Sequence, residues 1–161
     1  MTENQRPSAQ SSDGKNLSEP AAAELTNAVA QGVERLLRQM GLATLREFTL
    51  ANGRRADVAA LSRKGEIVVV EIKVSVADFR ADGKWPEYLD FCDRFFFAVP
   101  ERFPRDILPA DQGLIIADQF GGAELRPAPE ARISAARRKA VTLRFARKAA
   151  ERLWQEQLAN R

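Results

Sequence analysis

From Ile67 to Ile72 the chain reads Ile-Val-Val-Val-Glu-Ile, a run that is β-branched almost throughout and interrupted by a single carboxylate, Glu71. A strand that offers apolar side chains to both faces belongs inside a sheet covered on each side, which predicts a strand over Glu66 to Val74 with helices packed above and below it. Two more runs of strand character precede it, Thr44 to Leu50 and Arg55 to Leu61. The connections Ala51-Asn52-Gly53-Arg54 and Ser62-Arg63-Lys64-Gly65 are of hairpin size, so the three strands are expected to be antiparallel neighbours. With 161 residues and 45% apolar content, the chain can bury one such core and has little left for a second.

The remaining elements follow from spacing and punctuation. Leu25, Val29, Val33, Leu36, Leu37 and Met40 recur at helical intervals, with Ser18 placed to cap the helix, Pro20 in its first turn and Gly41 placed to end it. A second helix is expected within Val76 to Cys92, then a buried strand over Arg94 to Val99 and an irregular connection held by Pro100, Pro104 and Pro109. Gly113 to Asp118 and Ala123 to Arg126 make further strands, and a long helix closes the chain from about Ser134 to Leu158. The expectation is an α/β fold with a central mixed sheet of about five or six strands flanked by helices. Residues 1–17 are polar and carry almost nothing apolar, which predicts a disordered tail ahead of a single domain over 18–161.

Composition narrows the chemistry. There is no histidine, so the usual general base and the commonest metal ligand are both missing. A lone cysteine, Cys92, can neither close an intramolecular disulfide nor join a zinc cluster, and Met1 to Pro20 has no apolar leader, so a reducing cytoplasm is expected. The net charge is +3, but Arg126 to Arg161 holds ten Lys/Arg against three Asp/Glu, which leaves residues 1–125 at −4. A basic segment of this kind suits a polyanion or forms a solvated helix face.

Asp57 and Glu71 lie fourteen positions apart, and Lys73 follows Glu71 by two. If the second and third strands pair as a hairpin, the two carboxylates sit at corresponding levels of adjacent strands. Glu71 and Lys73 then project from the same face. Two carboxylates buried beside an apolar strand would be relieved by Mg²⁺ or Mn²⁺, which favour oxygen ligands and retain several waters. Such an arrangement suits phosphodiester hydrolysis without histidine, with Lys73 orienting or helping to deprotonate the attacking water once desolvation and a neighbouring cation lower its pKa.

Asp57 followed by Glu71-Ile72-Lys73 after a hairpin resembles the PD-(D/E)xK nuclease superfamily, whose restriction-endonuclease-like core runs helix, three strands, helix, strand. That resemblance implies that Asp57 and Glu71 are metal ligands and that Lys73 is the catalytic lysine. Ala56 stands where the motif has proline. A longer match, through Glu47 to Asp57, Val70 to Lys73, Asp78 to Asp82, Lys84 to Tyr88, Cys92 to Arg94, Gly113 to Asp118 and Arg137 to Ala140, is similar to the bacterial MmcB-type DNA-repair family. It implies a cytoplasmic role in the response to DNA damage; the expected partner is DNA, with branched or damaged forms among the candidates.

Other residues have two readings each. Lys84 and Tyr88, four apart, resemble the Gln-x-x-x-Tyr element of RecB-like nucleases with lysine for glutamine, so Lys84 either contacts a substrate phosphate or is a surface lysine beside a packed Tyr88. Asp78 and Asp82 either extend the metal site and orient Lys73 or decorate a solvated helix. Glu47 and, less directly, Glu34 are further candidate carboxylates, and Trp85 either stacks on a base or packs in the core. Arg54, Arg55 and Lys84, with Arg137, Arg144, Lys148 and Arg152 along one side of the last helix, are candidate nucleic-acid contacts. Leu143, Ala146, Ala150 and Leu153 on another side of that helix are expected to dock it on the sheet. The functions left standing are a metal-dependent DNA nuclease, a non-catalytic DNA-binding or scaffold module and an adaptor in a repair complex, with a homodimer as a further expectation and no membrane contact.

Overall fold

The computed structural model describes residues 18–161, so the tail expected over residues 1–17 lies outside the described residues. Helix α1 (Glu19–Gln39) carries its apolar stripe on Val29, Ala30, Val33 and Leu37 and has Pro20 in its first turn. Ser18 precedes it without a side-chain cap hydrogen bond, contrary to the sequence expectation. Pro20 at the helix start already lacks one of the N–H groups a cap would satisfy. The other end is as expected: Gly41 takes φ +84°, its N–H donates to Arg38 O at 3.0 Å, and Leu42 N–H donates to Leu37 O at 3.0 Å, a Schellman closure.

Six strands follow: β1 (Ala43–Thr49), β2 (Arg55–Leu61), β3 (Ile67–Ile72), β4 (Arg94–Val99), β5 (Gly113–Ala117) and β6 (Gly122–Arg126). They form one mixed sheet in the spatial order β1-β2-β3-β4-β5-β6. The β1–β2, β2–β3 and β5–β6 pairs are antiparallel, whereas β3–β4 and β4–β5 are parallel. All six residues of β3 are buried, as its β-branched run requires.

The two sheet faces have different covers. On one, Val58, Ala60, Val68, Val70, Ile72, Phe96 and Ala98 pack against α1. On the other, Ala59, Val69, Phe95 and Phe97 pack against Tyr88, Phe103, Leu108 and the two buried residues of helix α3 (Ala135–Ala159), Val141 and Phe145. Asp57, Glu71 and Lys73 share the strand parity of Ala59 and Val69, which places them on the second face.

Two expectations are corrected here. The helix expected within Val76 to Cys92 is two pieces, α2 (Val76–Ala81) and a 3₁₀ helix (Trp85–Phe91), with Asp82 to Lys84 between them. Pro86 lacks the N–H needed to continue an α-helix and disfavours the α conformation at the residue before it. Lys84 therefore precedes the 3₁₀ helix, and it does not share an α-helical face with Tyr88. In addition, α3 docks through Arg138, Val141, Phe145, Lys148 and Arg152, while Leu143 and Leu153 are exposed. The aliphatic stems of long cationic side chains cover apolar surface and leave the charged ends in water, which is how a stripe of this composition can face inward.

Helix α1 crosses the β5–β6 connection at Gly32, where an added Cβ would collide with the Asp118 and Gly121 carbonyl oxygens. Because both obstacles are backbone, Gly32→Ala is expected to destabilise the protein by about 1–3 kcal/mol, read as a lower urea midpoint with unchanged m-value.

Candidate functional site

The β2–β3 ladder is regular from Leu61↔Ile67 to Val58↔Val70, and the next level brings Asp57 opposite Glu71. There the Asp57 carboxylate replaces the ladder: Oδ2 accepts from the Ile72 N–H at 2.7 Å. Beyond that point β3 stays tied to β4, with the Lys73 N–H donating to Ala98 O at 3.0 Å. The period of two then turns Glu71 and Lys73 to the same side, where they are 6% and 3% exposed. The Lys73 ammonium lies 3.3 Å from Glu71 Oε1 and 2.6 Å from Asp82 Oδ2. Asp82 reaches it because the chain breaks from the helical path here, and its other oxygen accepts from the Lys84 N–H at 3.1 Å.

One buried cation thus faces three carboxyl groups, and the electrostatics reflect the imbalance. Burial, and then the charge of Asp57, push Glu71 up to about 8, and the nearby ammonium does not offset them. Burial also raises Asp57, against the pull of the Ile72 N–H and Lys73. Burial alone would lower Lys73, but Asp82 and Glu71 hold it above its ordinary value. Flanked by these two carboxyl groups, the lysine is held as an ammonium. Asp82 is held below the usual carboxylate range: burial opposes this, and the bonds from Lys73 and the Lys84 N–H prevail. Glu71 Oε2 is buried and has no hydrogen-bond partner.

Among the described residues no three His, Cys, Asp or Glu side chains gather into a preformed metal cage. Mg²⁺ does not need one: it commonly binds through one or two carboxylates and completes its shell with water and substrate phosphate. The Asp57 and Glu71 carboxyls, level with each other on neighbouring strands and with Glu71 Oε2 unpartnered, fit that donor requirement.

The other candidates divide clearly. Tyr88 belongs to the wall of the site, where its hydroxyl donates to Arg55 O at 2.9 Å and burial, then Glu71 and Asp57, raise its pKa. Asp78 is exposed at the start of α2, where its N–H donates to Ser75 Oγ at 3.1 Å. Lys84 is exposed beside Asp82. Glu47 is not gathered into the cluster: it adopts φ +47°, an uncommon conformation outside glycine, and its exposed carboxylate lies 3.9 Å from Arg55. Glu34 is on the α1 face, paired with Arg46 at 2.7 Å. Trp85 is core, stacked on Phe95 at 5.7 Å.

Among the basic candidates, Arg54 grips Glu87 through two bonds of 2.5 and 3.2 Å. Arg137 lies over the Phe91 ring at 5.1 Å, and Arg152 donates to Glu47 O at 3.1 Å. Arg144 and Lys148 line an open cavity beside α3 together with Arg147, which the sequence reading did not single out.

That reading also missed the buried Asp93, at the entrance of β4. It accepts from Ile67 N at 2.8 Å, Ile133 N at 3.2 Å and both terminal nitrogens of Arg138, at 2.5 and 2.6 Å. No local pattern announces this clasp, because the partner is 45 residues away.

Comparison with known proteins gives a family and a structural relative. A family model described as DNA repair protein MmcB-like matches residues 13–160. A solved structure described as the SPO1766 protein of unknown function from Silicibacter pomeroyi is 47% identical, with a TM-score of 0.80 over 82% of this chain and 90% of that one. No curated protein matches.

Proposed function

Since the chain belongs to the MmcB-like DNA repair family, we propose that it acts in DNA repair as a divalent-metal-dependent DNA nuclease or structure-selective DNA-processing protein with a PD-(D/E)xK-type core. The observation that carries this reading is the buried carboxyl pair, Asp57 and Glu71, with Glu71 Oε2 lacking any partner and Glu71 pushed up to about 8. A structural ion pair would be expected to satisfy its own oxygens. This cluster instead has a deficit of positive charge, which Glu71 meets by keeping a proton.

Asp57 and Glu71 would hold Mg²⁺ or Mn²⁺. The ion would supply the positive charge and polarisation that phosphodiester hydrolysis needs. Lys73, kept as an ammonium by Asp82 at 2.6 Å, would contribute a fixed cation to the reacting phosphate and orient the attacking water. Asp82 acts through Lys73 as a positioning residue. Tyr88 keeps the β2 backbone in place beside the pair, through its bond to Arg55 O.

The test is a cleavage assay on single-stranded, duplex, flapped and branched DNA in Mg²⁺, Mn²⁺ or EDTA. Cleavage is expected with either metal, not in EDTA, and is expected to disappear in Lys73→Ala protein that still binds DNA. Activity in EDTA, or undiminished in the variant, would remove the assignment. Binding without cleavage on any of these substrates would make the protein a DNA-binding scaffold.

A further inference from the structure

Helix α3 stands off the sheet along one flank, and two cavities open between it and the β1–β2 turn. One, of about 520 Å³, is lined by Phe48, Leu143, Arg144, Arg147, Lys148 and Glu151. The other, of about 440 Å³, is lined by Asn52, Phe91, Arg137 and Arg144. Arg144 and Ala140 line both, so the two are halves of one cleft. We propose that this cleft binds the sugar–phosphate backbone of a single DNA strand.

Charge is the first argument. Arg137, Arg144, Arg147 and Lys148 stand in the cleft against one carboxylate, Glu151, which lies 3.7 Å from Lys148. Arg144 and Arg147 are exposed and make no ion pair among the described residues, so they are available to phosphates. Shape is the second. Cavities of this size hold small-molecule-sized groups, such as a nucleotide unit of a single strand. Apolar wall is the third: Leu143, 55% exposed, and the partly exposed Phe91 beneath Arg137 give bases something to lie against, and cationic tracks with apolar or aromatic platforms are how single strands are held without sequence preference.

Position links the cleft to the candidate site. The 3₁₀ helix Trp85–Phe91 separates the two: Phe91 lines the cleft, while the Tyr88 hydroxyl bonds to Arg55 O two positions before Asp57. The cleft would thus hold a non-reacting stretch of substrate. The choice of DNA as the ligand rests on the repair reading above; the cleft's anion-binding character does not.

Fluorescence anisotropy of labelled oligothymidylate, in EDTA and across a salt series, tests the proposal apart from any cleavage. Arg144→Gln/Arg147→Gln is expected to bind about tenfold or more weakly and to flatten the slope of log K against log salt by about 1.4, the loss of two single-strand phosphate contacts. Glu151→Gln, which removes the cleft's one carboxylate, is expected to bind more tightly. Arg35→Gln, which removes an exposed cation from α1 on the opposite side of the sheet, is expected to bind as wild type, and because the assay runs in EDTA a failed carboxylate assignment would leave this result intact. An unchanged affinity or slope in the double variant would overturn the proposal. So would wild-type protein that prefers the matching duplex or RNA strand, or that binds no single strand.

Discussion

Glu71→Gln is expected to yield a protein that is more stable than wild type at pH 8 in EDTA and inert in the cleavage assay. Glu71 is 6% exposed and raised from 4.5 to about 8, first by burial and then by the charge of Asp57. Between those two values the folded chain holds a proton that the unfolded chain has released, so this group's contribution to stability falls as pH rises from about 4.5 to about 8. Glutamine never ionises. The variant should therefore gain on the order of 2 kcal/mol at pH 8 and little at pH 5, where Glu71 is already neutral. Urea unfolding of both proteins at the two pH values measures this. Activity should move the other way, by about three orders of magnitude or more, the scale set by losing a group that stabilises transition-state charge. A variant no more stable than wild type at pH 8 would mean that Glu71 is not held in the raised state.

Asp93→Ala is expected to cost about 3–5 kcal/mol, because it leaves the Arg138 guanidinium without its carboxylate in a mostly buried setting and also strands the Ile67 and Ile133 N–H groups. That is a large share of the roughly 5–15 kcal/mol that holds a domain together. The measurement is the urea midpoint at neutral pH. Burial acts to raise Asp93, but the bonds from Arg138, Ile67 and Ile133 hold it below its ordinary value of 3.8. Its stabilisation is thus complete above the ordinary carboxylate range and disappears as pH falls through the depressed folded value. Asp93→Asn should accordingly flatten the acid limb of the stability profile, whereas Glu71→Gln flattens the alkaline one. An Asp93→Ala protein as stable as wild type would show that the clasp contributes nothing net.

Much of this was legible in the residues. The apolar run Ile67 to Ile72 required a central strand, and the alternation of side chains was enough to put Glu71 and Lys73 on one face. Hairpin-sized connections put Asp57 level with Glu71. The break after α2 was readable too, in Gly83 and Pro86, yet the apolar residues on either side suggested one helix. The docking face of α3 was misread because residue type alone ranked Leu143 and Leu153 as inward, whereas Arg138, Lys148 and Arg152 flank Val141 and Phe145 against the body of the protein. The contacts of Asp82 with Lys73 and of Asp93 with Arg138 depend on where the chain returns in space, which no local pattern encodes.

The bond from Ile72 N–H to Asp57 Oδ2 has a practical meaning for anyone who removes that acid. Alanine at this position would unfasten two neighbouring strands while also stripping away the negative charge, so a dead Asp57→Ala protein would confound architecture with chemistry. Asparagine keeps an oxygen for the amide and discards only the charge. Loss of function in Asp57→Asn, with its thermal transition preserved, would therefore report on reactivity alone.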